Sequence, residues 1–97
     1  MSNSLELEFV RDFYKRIGQF EDSKLAIEYV YKAFDELLPK SSDLNGNWDL
    51  CNKLFENVDV SKIDIKVLMA ILRISEKYKH KLPSRYNFFK KVQPFIL

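Results

Sequence analysis

An all-α fold is predicted by three observations. Apolar residues recur at three- and four-residue spacing through successive segments, the helical period. Only two glycines and three prolines occur in 97 residues, too few for the frequent turns of an all-β chain. One segment, Ile65 to Tyr78, is apolar on nearly every side, and such a helix must be buried by its neighbours. The expected architecture is a single compact irregular bundle of about five helices, near 4–17, 22–38, 47–57, 64–77 and 84–93, with the helix 64–77 at its centre. A chain of this length buries roughly 60 to 68% of its unfolded surface, enough for one core.

The first helix follows Ser4, with Leu5, Phe9, Val10, Phe13, Tyr14 and Ile17 expected to face inward and Gly18 offering a left-handed cap. The second starts at Asp22 or Ser23, whose side chains suit the free first-turn amides, and runs to Pro39. Ala26, Tyr29, Val30, Ala33, Phe34, Leu37 and Leu38 form its apolar face. Ser41–Gly46 is polar and ends in Asn45-Gly46, a turn signal between helices. Trp48, Cys51, Leu54, Phe55 and Val58 then mark a short third helix, and Asp59 to Ile63 reads as one irregular turn.

Asp64 is placed to cap the fourth helix, whose polar strip is narrow: Lys66, Arg73 and Lys77. Lys79–Pro83 is the expected linker to a fifth helix capped by Ser84, with Phe88, Val92 and Phe95 inward and Phe89 and Ile96 beside them. Pro94 has no N–H to donate, so this helix should kink or end there.

Several function classes are excluded or disfavoured. The longest apolar run, Val67–Leu72, is six residues, against the roughly 18 a membrane span requires. The first residues lack the basic and apolar blocks of a secretory signal, so the expected location is the cytoplasm, where an unpaired Cys51 is at home. One histidine, His80, and one cysteine cannot supply a zinc site, and no metal or cofactor is expected. Two glycines, Gly18 and Gly46, cannot form a phosphate loop, and a Cys51–His80 nucleophilic pair would require Cys51 to leave its apolar stripe. The chain is therefore expected not to be an enzyme.

What remains is a charge bias. Residues 1–48 hold nine acids and six bases and residues 49–97 five and ten, so the halves carry −3 and +5. From residue 77 onward Lys77, Lys79, Lys81, Arg85, Lys90 and Lys91 stand among Tyr78, Tyr86, Phe88, Phe89 and Phe95 with no acidic side chain. Codon bias contributes: Phe, Tyr, Met, Ile, Asn and Lys supply 40 residues and Gly, Ala, Arg and Pro only 12, as in an AT-rich bacterial, phage or plasmid gene.

The expected function is a small non-enzymatic protein-interaction module, a regulator or inhibitor. It would bind an acidic partner through Lys77, Lys79, Lys81, Arg85, Tyr86, Lys90 and Lys91. A nucleic-acid binder using segment 77–91, with Arg85 and Tyr86 in the first turn of a reading helix, is the second expectation. A homo-oligomer with the apolar end Phe95–Leu97 in its interface is the third. The core reading of Phe88, Phe89 and Phe95 competes with all of them, leaving the lysines as a solubilising face.

Overall fold

The computed structural model describes residues 2–38 and 47–96, so the turn predicted at Ser41–Gly46 lies outside the described residues. Five α-helices are present: α1 (Ser2–Gln19), α2 (Ser23–Leu37), α3 (Trp48–Glu56), α4 (Ile65–Ser75) and α5 (Ser84–Ile96). Short 3₁₀ turns at Val60–Lys62 and Glu76–Lys81 flank α4. The described residues contain no strand, and the fold is the all-α bundle the periodicity predicts. Its radius of gyration of 12.8 Å matches the ~12.5 Å of a close-packed chain of this length.

Short polar side chains start three elements, at Asp22 and Asp64 as the sequence suggests and at Asp59, where it offers only an irregular turn. Asp22 Oδ1 accepts the Lys24 amide at 2.9 Å, Asp59 Oδ1 the Ser61 amide at 3.1 Å and Asp64 Oδ1 the Lys66 amide at 2.7 Å. Each satisfies an N–H that has no partner inside its own helix. Asp64 does more, because its second oxygen accepts the Ser23 hydroxyl at 2.8 Å and ties the start of α4 to the start of α2. These bonds hold the Asp64 carboxyl below its ordinary value, the Lys66 amide contributing most.

α4 packs most extensively on α2, while α3 packs on α5 and α1 leans on α2 and α3. Phenylalanines from four helices meet through the core, Phe13–Phe34 in a T-shaped contact at 6.0 Å and Phe34–Phe55 and Phe55–Phe88 in tilted contacts at 6.4 Å and 5.2 Å. All four are buried, and so are Val67, Leu68, Ala70, Ile71 and Leu72 of α4. Tyr14 adds a polar cross-link by donating its hydroxyl to the Leu54 carbonyl, and Lys53 Nζ lies 3.0 Å from Glu6. Burial raises the Tyr14 pKa well above that of an ordinary phenol.

Four details depart from the sequence reading. Gly18 does not cap α1: the helix runs through it to Gln19, and no described glycine has a positive φ. Leu5 and Phe9 do not face inward but are 70% and 39% exposed. The buried strip of α1 is Val10, Phe13 and Ile17, and Leu5 lies about 110° around the helix from its centre. α5 passes through Pro94 to Ile96, because the proline sits exposed in the last turn, where it forfeits one rim hydrogen bond instead of breaking an interior. Finally, α4 ends at Ser75 and the chain tightens into 3₁₀ geometry, so Lys77 and most of the expected linker are helical.

Two outcomes follow. Phe55→Ala, which removes the ring between Phe34 and Phe88, should cost about 3 to 5 kcal/mol in urea unfolding, whereas Leu5→Ala should stay within about 0.5 kcal/mol. Because the folded pKa of Asp64 lies below its unfolded value, its contribution is complete above the ordinary carboxylate range and is lost as pH falls through the depressed value. Between pH about 5 and about 2, wild-type stability should fall more steeply than that of Asp64→Asn, a cap that does not titrate. Parallel slopes would show that Asp64 is not coupled to folding.

Candidate functional site

The basic segment begins where α4 ends. The Glu76 N–H bonds to the Arg73 carbonyl instead of the Leu72 carbonyl that α-helical geometry would offer, and this starts the 3₁₀ turn. Tyr78 is buried and meets Trp48 with ring centroids 5.6 Å apart, fixing the middle of the turn to α3. Lys77, Lys79 and Lys81 are accordingly exposed around it. Lys77 Nζ stands 5.2 Å from the centre of the Tyr78 ring, and Lys79 Nζ pairs with Glu76 at 3.0 Å.

Leu82 is buried, and the chain then enters α5 with help from α3. The Ser84 amide donates to Asn52 Oδ1 at 3.0 Å and the Ser84 hydroxyl to Glu56 at 2.7 Å. The expected Ser84 cap is therefore replaced by a junction with α3, since the hydroxyl is turned toward a carboxylate. Asn52 is held for this role by donating to the Trp48 carbonyl at 2.9 Å.

Arg85 is a fastening between α4 and α5. Its Nε donates to Ser75 Oγ at 2.8 Å, and its Nη2 donates to the Leu72 carbonyl at 2.7 Å and to Glu76 at 2.8 Å. The Leu72 carbonyl is the one bypassed at the 3₁₀ transition, so the guanidinium supplies a partner for a main-chain oxygen that lost its helical donor. The side chain is only 12% exposed. Glu76 is held below the ordinary carboxylate range by its bond to Lys79 and then by the charge of Arg85.

Farther along α5, Phe88 and Val92 are buried against the core, but Phe89, Phe95 and Ile96 are 38%, 55% and 43% exposed. The expectation that Phe95 faces inward does not hold: Phe88 and Val92 are the residues of α5 enclosed by the core. Tyr86 points outward with Lys90 Nζ 5.1 Å from its ring centre. Lys91 is also exposed, about 100° around the helix from Lys90. The seven sequence-chosen residues thus occupy three settings. Tyr86 and Lys90 form an outer ridge, Lys77, Lys79, Lys81 and Lys91 lie on other sides, and Arg85 is built into the helix junction.

Sequence reasoning missed a groove of about 530 Å³ between α4 and α5, lined by Met69, Leu72, Phe89 and Ile96 with Arg73, Glu76 and Arg85 around it. Its signal was the excess of apolar positions on α4, all of which had been assigned to the core. A second groove, of about 580 Å³, separates α1 from the turn after α3 and includes Leu7, Tyr14, Asp59 and Lys62. Asp59 and Lys62 lie 3.8 Å apart there and pair with each other. Cys51 is fully buried and its thiol is pushed up to about 12 by desolvation. Among the described residues no group of three His, Cys, Asp or Glu is placed to hold a metal, and no helix is long and apolar enough to cross a membrane.

Arg85→Ala should therefore cost about 2 to 3 kcal/mol in urea unfolding, because it strips charged hydrogen bonds from Ser75 and the Leu72 carbonyl. Lys90→Ala should change stability by less than about 0.5 kcal/mol. Compared with protein-family models, curated proteins and solved structures, the chain matches none.

Proposed function

We propose that this chain is a non-enzymatic protein-interaction module, a regulator or inhibitor, whose basic C-terminal side binds an acidic surface of another protein. The observation that carries the reading is the outer side of α5. There the exposed Tyr86 and Lys90 lie next to Phe89, three residues from Tyr86 on the same helix and 38% exposed, with no acidic side chain from residue 77 through 96. Exposed aromatic and aliphatic anchors set among cations are the mixture protein interfaces favour, apolar contact giving affinity and charge giving steering. A cytoplasmic site of action accords with a single cysteine that is buried and unpaired.

The same lysines would also serve phosphate binding, but Arg85, the side chain best suited to a base edge, is spent on the α4–α5 junction. Affinity capture with wild type and with Lys79→Glu/Lys90→Glu/Lys91→Glu, verified as folded by circular dichroism, tests the reading. The wild type should recover protein that the variant does not. Equal recovery from both would overturn it, and duplex or single-stranded DNA binding that falls steeply between about 50 and 200 mM salt would favour the nucleic-acid alternative.

A further inference from the structure

We infer that the α4–α5 groove is a receptor for an acidic amphipathic helix of a partner protein. This deepens the interaction-module reading and rests on it. The floor of the groove is apolar: Met69 and Leu72 come from α4, and Phe89 and Ile96 from α5. Met69, Leu72, Arg73 and Glu76 follow the i, i+3, i+4, i+7 spacing of one helix face, so the α4 wall runs about 10 Å along its axis. That length suits two turns of a guest helix carrying apolar anchors at the same spacing.

Charge decides what kind of guest. Lys66 and Arg73 are seven residues apart, aligned to within about 20° on α4, and both are exposed. They form a basic pair outside the Met69–Leu72 wall, with Arg73 also lining the groove. The opposite bank is the Tyr86–Lys90 ridge of α5. Glu76 is the one carboxylate lining the groove, and it is already bonded to Arg85 at 2.8 Å and Lys79 at 3.0 Å. A guest with apolar residues down its centre and Glu or Asp on both shoulders therefore meets apolar surface below and cations on each side. A basic helix would meet like charge from Lys66 and Arg73 on one side and from Lys90 on the other.

The chain's own α1 offers a weaker match. Leu5 and Phe9 are exposed on it beside Glu8 and Asp12, but Arg16 continues the same face and would be set against the basic pair. A second copy is thus disfavoured as the occupant.

The test uses the full chain labelled with ¹⁵N and three synthetic peptides of about 18 residues, long enough to form a helix on binding. The first has leucines at helical spacing flanked by glutamates, the second replaces every glutamate with lysine, and the third scrambles the first so that no apolar face remains. The acidic amphipathic peptide should bind with amide shifts confined to α4 and α5. Binding should weaken at least about tenfold both in Phe89→Asp/Ile96→Asp and in Lys66→Glu/Arg73→Glu. All four of these positions are at least one-third exposed, and unchanged circular dichroism and melting temperature certify the fold.

Absence of binding by this peptide, equal binding by the lysine peptide, or undiminished binding to Phe89→Asp/Ile96→Asp would each overturn the groove. If the scrambled acidic peptide binds as well as the first and only Lys79→Glu/Lys90→Glu/Lys91→Glu abolishes it, the basic-surface reading survives and the groove does not. Concentration-dependent self-association by light scattering that Phe89→Asp/Ile96→Asp abolishes would replace the foreign helix with a second copy.

Discussion

α4 carries more apolar surface than its neighbours cover, and the arrangement of the molecule depends on that imbalance. A helix with hydrophobic residues on nearly every side has its lowest free energy when enclosed. α2 takes the largest share of its surface and α5 another, burying Val67, Leu68, Ala70, Ile71 and Leu72. Ile65, Met69 and Ile74 are only partly covered. The uncovered strip at Met69 becomes the wall of a groove once Phe89 and Ile96 are set opposite it. Core formation and the candidate binding surface are thus two consequences of one helix's composition.

The position of α5 is set by polar bonds as much as by packing. Ser75 is fully buried within α4 and donates its hydroxyl to the Ile71 carbonyl at 2.7 Å. It accepts from Arg85 at 2.8 Å. The shift from α to 3₁₀ geometry at Glu76 frees the Leu72 carbonyl for the same guanidinium. On the other side, Asn52 and Glu56 hold Ser84. The first two residues of α5 are therefore clamped between α4 and α3, and Phe88 reaches Phe55 from that fixed start. This clamp separates the positive charges of the last segment into two classes: Arg85 holds the fold, while the exposed Lys77, Lys81, Lys90 and Lys91 set the field of the surface.

That division explains which parts of the surface could be read in advance. Charge and aromatic content from Lys77 to Leu97 marked the region, but the one-dimensional pattern could not say that Arg85 turns inward and Phe89 outward. Both lie on the same flank of α5, about 40° apart around the helix, and they differ because α4 offers hydrogen-bond acceptors near one and apolar side chains near the other. Likewise Leu5 and Phe9 fit the helical period of α1 as well as Val10 and Phe13 do, yet only the placement of α2 and α3 decides which of them is covered.

By itself the sequence determined the helical class, the central place of α4 and the cap at Asp64, and narrowed the α2 cap to Asp22 or Ser23, because periodicity and first-turn hydrogen bonding are local properties of a few adjacent residues. It also determined that Trp48, Cys51, Leu54, Phe55 and Val58 share one face, of which all but the half-buried Trp48 are enclosed. Only the tertiary structure decided that Ser84 bonds to α3 instead of its own helix, that α1 continues past Gly18, and that an apolar groove between basic banks stays open along α4 and α5. The Ser84 bonds and the groove depend on partners 10 or more residues away in the chain. A helical pattern specifies which residues share a face, but not how wide a strip the neighbouring helices will cover.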